Sequence, residues 1–156
     1  MLFRSTQHVL WRITEGKELD GVTPKAAVLM IGTNNFAAHS VPDIAQGIEA
    51  IVAELRKQKP EIKVLVLGVF PRGAKKDAKN GKIAAADLNP KSAEVNAIIA
   101  RLDEGKNVFF LDIGKKFLDE NGDLSAAIMP DYLHLSPKGY EIWAAAIEDK
   151  VKDLAK

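Results

Sequence analysis

Apolar and polar positions along the chain fall into two alternating patterns. Three short stretches are almost continuously apolar: Ala26-Ala27-Val28-Leu29-Met30-Ile31, Lys63-Val64-Leu65-Val66-Leu67-Gly68-Val69 and Asn107-Val108-Phe109-Phe110-Leu111-Asp112-Ile113. Runs of this length and type predict strands of a parallel sheet buried on both faces. Between them apolar residues recur every three or four positions, which predicts helices. Val9, Leu10 and Ile13 follow a Ser5/Thr6 cap and stop at Gly16. Ile44, Ile48, Ile51, Val52 and Leu55 follow Ser40, with Asp43 in the first turn. Val95, Ile98, Ile99 and Leu102 follow Asn89-Pro90 and end at Gly105; Tyr140, Trp143, Ala144, Ile147, Val151 and Leu154 follow Ser136-Pro137. Residues 74–88, rich in Lys, Ala, Asp and Gly, have no period and read as a long loop, a type often functional. Residues 115–118 suggest one helical turn, and Asn121-Gly122-Asp123 a tight turn.

Helix and strand therefore alternate from one end to the other. That order predicts an α/β fold: a three-layer αβα sandwich on a parallel sheet, with right-handed crossovers and a site at the carboxyl ends of the strands. A chain of 156 residues, 47% hydrophobic, suits one domain spanning 1–156. Lys+Arg and Asp+Glu total 22 and 21, a net charge of +1, so charge gives no argument for a nucleic-acid or membrane-surface partner. No apolar stretch reaches the roughly 18 residues of a membrane span. The opening Met1-Leu2-Phe3-Arg4 lacks a signal-peptide layout. With no cysteine, disulfides, thiolate metal sites and a cysteine nucleophile are excluded, and no compartment is implied.

Two stretches carry the candidate chemistry. Gly32-Thr33-Asn34-Asn35 closes the first apolar run and delivers carboxamides to the end of a strand. Asp131-Tyr132-Leu133-His134, just ahead of the last helix, supplies a carboxylate and an imidazole. Acyl transfer needs a histidine base, an acid that fixes its tautomer, and donors aimed at the developing oxyanion. His134, Asp131 and Asn34 suit those roles in that order. Asn35 and Arg72, with the 74–88 loop, are candidates for contacts to substrate, because they also follow strand ends; the alternative for Arg72 is that it ties a loop down. His8, alone on a helix beside Trp11, reads as a packing or surface residue. No metal or cofactor is implied.

The segments Gln7-His8-Val9-Leu10-Trp11-Arg12, Val28 to Asn35 with its GTNN, Gly47 to Val52, Leu67 to Gly73 with its FPRG, and Asp131-Tyr132-Leu133-His134-Leu135 resemble the SGNH (GDSL) hydrolase family. More narrowly they resemble the branch containing the catalytic subunits of platelet-activating-factor acetylhydrolase. The resemblance runs over nearly the whole chain and implies the flavodoxin-like SGNH fold and a small-molecule ester substrate, with Asn34 as oxyanion-hole donor and Asp131 and His134 as acid and base of a Ser-His-Asp triad. Two family features are absent. No Gly-Asp-Ser occurs anywhere, and Phe3, Arg4 and Ser5 stand where a glycine amide would complete the oxyanion hole.

The expectation that follows is a chain short of the family's opening strand, helix and second strand, with a sheet reduced to about three strands. Its five serines offer little replacement. Ser40, Ser92 and Ser136 open helices, Ser125 follows a turn without a glycine elbow, and Ser5 is a weak nucleophile candidate. Three readings result: an ester hydrolase that is weak, or dependent on the missing segment; an inactive α/β module that binds a partner or carries a relic site; and a nucleotide-binding domain, disfavoured because no Gly-rich phosphate turn follows a strand. The absent neighbour strand would leave residues 26–31 as a bare apolar edge, which predicts a homo-oligomer through that edge or the face beside it.

Overall fold

The central strand β2 (Lys63–Leu67) shows the layering most directly. Val64 and Val66 point into one core and Leu65 and Leu67 into another, all at most 1% exposed, because successive side chains of a strand alternate between faces. In the computed structural model, which describes residues 5–156, β2 is flanked by β1 (Ala26–Leu29) and by a strand at Val108–Leu111, both parallel to it. The three apolar runs thus form one parallel sheet. Each strand is shorter than its run, since the last residues of each run leave the ladder and enter the loops around the site.

Helices cover both faces. On the first lie α1 (Thr6–Ile13), α2 (Val41–Gln58) and α3 (Lys91–Ile99). The α2 stripe Ile44, Ile48, Ile51, Val52 and Leu55 is buried against Val64 and Val66. Ser40 opens α2 as a capping box with Asp43. At α3 the capping differs in detail from the sequence pattern: Pro90 sits at the N-cap position, and Asn89 one residue earlier accepts the Lys91 N–H at 3.0 Å. The Gly47 position on α2 lets α1 approach, because a Cβ there would stand 2.6 Å from Thr6 Oγ1.

The 74–88 stretch departs from the loop expectation. It holds a two-residue strand, β3 (Lys82–Ile83), flanked by 3-10 turns at Lys75–Asp77 and Ala85–Asp87. With the sheet strand Val108–Leu111 as β4, the partner of β3 is β5 (Leu124–Ser125), paired antiparallel. The reason is burial: Ile83 and Leu124 are fully buried with Phe70, Ile113, Phe117, Met129 and Tyr132 in a second core. A single buried isoleucine among Lys, Ala, Asp and Gly carries no periodic signal. This second core lies beyond the carboxyl ends of the strands and supports the segment that carries Asp131 and His134.

The opposite face is covered by α4 (Pro137–Leu154), capped by Ser136, whose Oγ accepts the Gly139 N–H at 3.2 Å. Leu65, Leu67, Ala26 and Met30 pack against Trp143, Ile147, Val151 and Leu154. Among the described residues β1 is an outer strand, paired with β2 alone, and Val28 in its middle is 41% exposed. No helix among the described residues is long and apolar enough to cross a membrane. The family comparison at Phe3 and Arg4 lies outside the described residues.

Candidate active site

Local backbone chemistry builds the first part of the site. Gly32 has φ of 121°, a region open to glycine, and a Cβ there would meet Ile44 Cγ2 at 3.0 Å. The chain can therefore turn sharply out of β1 into a 3-10 turn at Thr33–Asn35. That turn sends its two asparagines in different directions. Asn34 is exposed and lines a cavity of about 290 Å³. Asn35 is 1% exposed; its Oδ1 accepts the Thr6 N–H at 3.1 Å, and its Nδ2 donates to Thr6 Oγ1 at 3.2 Å and Gln7 Oε1 at 2.9 Å. The expectation that Asn35 contacts substrate is therefore corrected. Its amide fastens the start of α1 to the strand end, and α1 in turn places Val9 in the cavity wall.

Arg72 holds the same turn, in line with the loop-tying alternative. Its Nη1 donates to Thr33 O at 3.3 Å and Thr33 Oγ1 at 3.2 Å, and its guanidinium lies 5.9 Å from the Phe36 ring centroid. Burial pulls the Arg72 pKa down while the Asp131 carboxylate pushes it up. Arg72 is thus a brace on the turn that carries Asn34. Ala85, Ala86 and Leu88 of the long segment line a separate cavity of about 430 Å³ with Asn89, Asp112 and Lys115.

The second part of the site is the turn at residues 131–134. Asp131 Oδ1 accepts the N–H groups of Leu133 at 3.1 Å and His134 at 2.7 Å, while Oδ2 lies 2.6 Å from His134 Nδ1. One carboxylate therefore shapes the turn and orients the imidazole, which leaves Nε2 at the outer end of the ring. Partial burial opposes the charged form of Asp131, but the His134 ring and the two backbone N–H groups outweigh it and bring its pKa down to about 2. Tyr132, between them, has φ of 60°, unusual for an aromatic residue. Its burial at 4% exposure in the second core holds that conformation. Pocket and dyad meet, since His134 lines the same cavity as Asn34. The pair is nonetheless open to solvent, with the His134 and Asp131 side chains 61% and 52% exposed.

The cavity's apolar wall escaped the sequence reading. Met30, Phe70, Tyr140 and Trp143 line it. Phe70 and Trp143 meet edge to face at 5.0 Å, and Tyr140 stacks on Trp143 at 6.0 Å. The available signal was position: Tyr140 falls in the first turn of α4, close after the His134 turn, where an aromatic reaches the strand ends. All five serines are located. Ser40 and Ser136 cap helices, Ser92 Oγ donates to Phe70 O at 3.1 Å, and Ser125 Oγ accepts the Ala127 N–H at 3.1 Å. Ser5 Oγ lies 2.7 Å from His8 Nδ1 at the start of α1. Among the described residues no group of three or more His, Cys, Asp or Glu is placed to hold a metal ion.

Known proteins resemble this chain in sequence and in fold. Residues 4–142 match the model of the GDSL-like Lipase/Acylhydrolase family. Platelet-activating factor acetylhydrolase IB subunit alpha2 of Gallus gallus is 39% identical over 137 residues, covering 87% of this chain and 55% of that protein. The alpha1 subunit of Rattus norvegicus is likewise 39% identical, with 87% and 54% covered. The chain thus spans about half the length of the curated relatives it matches. Among solved structures, a GDSL-like lipase from Bacteroides thetaiotaomicron superposes with a TM-score of 0.73 at 23% identity, covering 96% of this chain and 72% of that one. A family 3 carbohydrate esterase of Clostridium thermocellum gives 0.63 at 22%, covering 97% and 69%. At those identities the likeness concerns the fold.

Proposed function

The chain belongs to the GDSL-like lipase/acylhydrolase family, and from that premise we propose that it cleaves small acyl esters with His134 as general base, Asp131 as the acid that orients it, and Asn34 as an oxyanion donor. The observation that carries this reading is the 2.6 Å bond between Asp131 Oδ2 and His134 Nδ1, made at the rim of the cavity that Asn34 also lines. With Nδ1 held as the protonated nitrogen, Nε2 is the basic one.

No Gly-Asp-Ser occurs in the sequence, and among the described residues no serine bonds to the His134 ring. Direct attack by water, with His134 as base, needs no serine, whereas a Ser-His-Asp mechanism depends on a segment outside this sequence. His134 Nε2 removes a proton as the water oxygen bonds to the ester carbonyl carbon, and Asn34 Nδ2 donates to the resulting oxyanion. When the tetrahedral adduct collapses, the bond to the alcohol oxygen breaks and His134 returns the proton to it, leaving a carboxylic acid and an alcohol. The modest cavity, with its apolar and aromatic wall, suits a short acyl group such as acetyl on an alcohol or a sugar.

Such a site should be at least about a thousandfold slower than a complete serine esterase, the order of loss expected without a nucleophile. Nitrophenyl acetate hydrolysis, run beside a fluorophosphonate labelling reaction, tests this. Slow turnover without labelling is expected. Turnover near 10 per second, typical of enzymes, or labelling at Ser5, would overturn it. A second reading, a catalytically inactive partner-binding module, is favoured by the solvent exposure of the dyad and predicts no turnover above the buffer rate. The protein is also proposed to be a homo-oligomer through the 26–31 edge or the face beside it.

A further inference from the structure

The cavity of about 430 Å³ beside α3 plays no part in the ester chemistry, yet it is larger than the one at His134 and within the roughly 300–1,000 Å³ of small-molecule sites. It lies past the carboxyl ends of β2 and β4, where α3 begins. All of its lining residues fall between Val69 and Leu118, in the interior of the chain.

Its inner wall is held from below. Val69 and Pro71 line this cavity, while Phe70 between them lines the other. Asn96 Oδ1 accepts the Val69 N–H at 2.7 Å, and its Nδ2 donates to Val69 O at 3.2 Å and to Asp112 Oδ2 at 3.1 Å. Gly68 leaves the room for this cluster, since a Cβ there would stand 2.7 Å from Asn96 Nδ2 and 2.9 Å from Asp112 Cγ. Val69, Ser92 and Asn96 are buried and form a fixed floor, whereas Ala85, Ala86, Pro90 and Ala93 are exposed at the mouth, where small side chains leave it open.

Counting donors and acceptors shows what such a cavity can hold. Both amide hydrogens of Asn96 and the hydroxyl hydrogen of Ser92 are engaged within the protein, so the floor offers no donor. Asn89 Oδ1 accepts the Lys91 N–H, but among the described residues Asn89 Nδ2 and Lys115 Nζ donate to nothing. Asp112 Oδ1 accepts the Gly114 N–H at 2.8 Å and Oδ2 accepts the Asn96 amide, one bond to each oxygen where each can take two. The rim therefore carries a carboxylate with room for a donor, and an amide and an ammonium with room for an acceptor. Beneath them lie the apolar side chains of Val69, Pro71, Leu88 and Leu118.

We propose that this cavity binds a free α-amino acid with an aliphatic side chain, of the leucine class. Its ammonium group meets Asp112, its carboxylate meets Asn89 Nδ2 and Lys115 Nζ, and its side chain enters the apolar interior. A simple cation or anion would use one end of the rim and leave the interior wet. The zwitterionic head stays at the exposed rim, so no charge is buried without a partner.

Binding here is independent of the ester-hydrolase reading and is tested without an ester. Titration of isotope-labelled protein with L-leucine, to about 10 mM, should move the amide resonances of Leu88, Ala93 and Gly114 with a Kd of about 1 mM or tighter. Three analogues each remove one contact: 4-methylpentanoate lacks the ammonium, leucinamide lacks the carboxylate, and glycine lacks the side chain. Each should bind at least about tenfold more weakly. Lys115→Ala, at an exposed position, should weaken leucine about tenfold and leave leucinamide unchanged, and Ala86→Trp should block both at the mouth. No shifts with leucine, shifts clustered at the His134 cavity instead, or 4-methylpentanoate binding as tightly as leucine would each overturn the assignment. So would an equal loss of leucine and leucinamide in Lys115→Ala, or full affinity in Ala86→Trp. The analogue series needs no variant and decides the question even if a substitution unfolds the chain.

Discussion

Replacing Asn35 by alanine should do more damage than any other change at the GTNN turn, although its side chain does not reach the cavity. The amide makes three hydrogen bonds, to the Thr6 N–H, Thr6 Oγ1 and Gln7 Oε1, in a place that is 1% exposed. Each is worth roughly 1 kcal/mol, and the Thr6 N–H, with Thr6 itself 2% exposed, would be left without its acceptor. The sum is about 3 kcal/mol. A helix of eight residues is too short to persist alone, so α1 should loosen from α2 once this anchor is gone. Urea unfolding measures the loss, and far-ultraviolet dichroism of the folded variant reports whether α1 has melted. Asn35→Asp is the control: it keeps an acceptor for Thr6 N–H but removes two donated bonds and buries a charge, so it should be no more stable than the alanine variant. A loss below about 0.5 kcal/mol for Asn35→Ala would refute the reasoning, because it would mean water replaces the amide at no cost.

Other expectations follow from the same contacts. Asp131→Asn should lower ester turnover at least about a hundredfold, since an amide no longer fixes the tautomer of His134. The carboxyl of Asp131 titrates lower in the folded protein than in the unfolded chain, so its stabilisation is complete above about pH 4 and disappears as pH falls through about 2. Discounted for a half-exposed side chain, the stability gap between wild type and Asp131→Asn should be about 1 kcal/mol at pH 5 and should close towards pH 2; a gap independent of pH would contradict this. Arg72→Ala should lower kcat with little change in KM, because it frees the Thr33 turn without touching the cavity; a rise in KM alone would instead make Arg72 a substrate contact.

What the sequence made legible follows from the physics of each signal. The three apolar runs and the Ile44 to Leu55 stripe repeat a pattern over many residues, and they located the sheet and α2. The helix starts at Ser40 and Ser136 rest on short-range capping and were equally plain. The 74–88 stretch was not, since its strand depends on one residue, Ile83, meeting Leu124 across forty positions. Nor could spacing separate Asn34 from Asn35: which carboxamide faces the cavity depends on a Gly32 conformation and on α1 arriving beneath the turn. Asp131 and His134 were readable because three residues of one tight turn suffice to bring them together. The aromatic wall at Tyr140 and Trp143 looked like ordinary helix core, and it takes the three-dimensional position of α4 to place it at the site.

The most direct measurement of the central claim is the turnover of nitrophenyl acetate by wild type and by His134→Ala at equal concentration and matched fold content. If His134 is the base, the variant should fall to the buffer rate or within a few-fold of it, while Asn34→Ala should lose about a hundredfold, the order expected for one oxyanion donor. Turnover in His134→Ala equal to that of wild type would contradict the account.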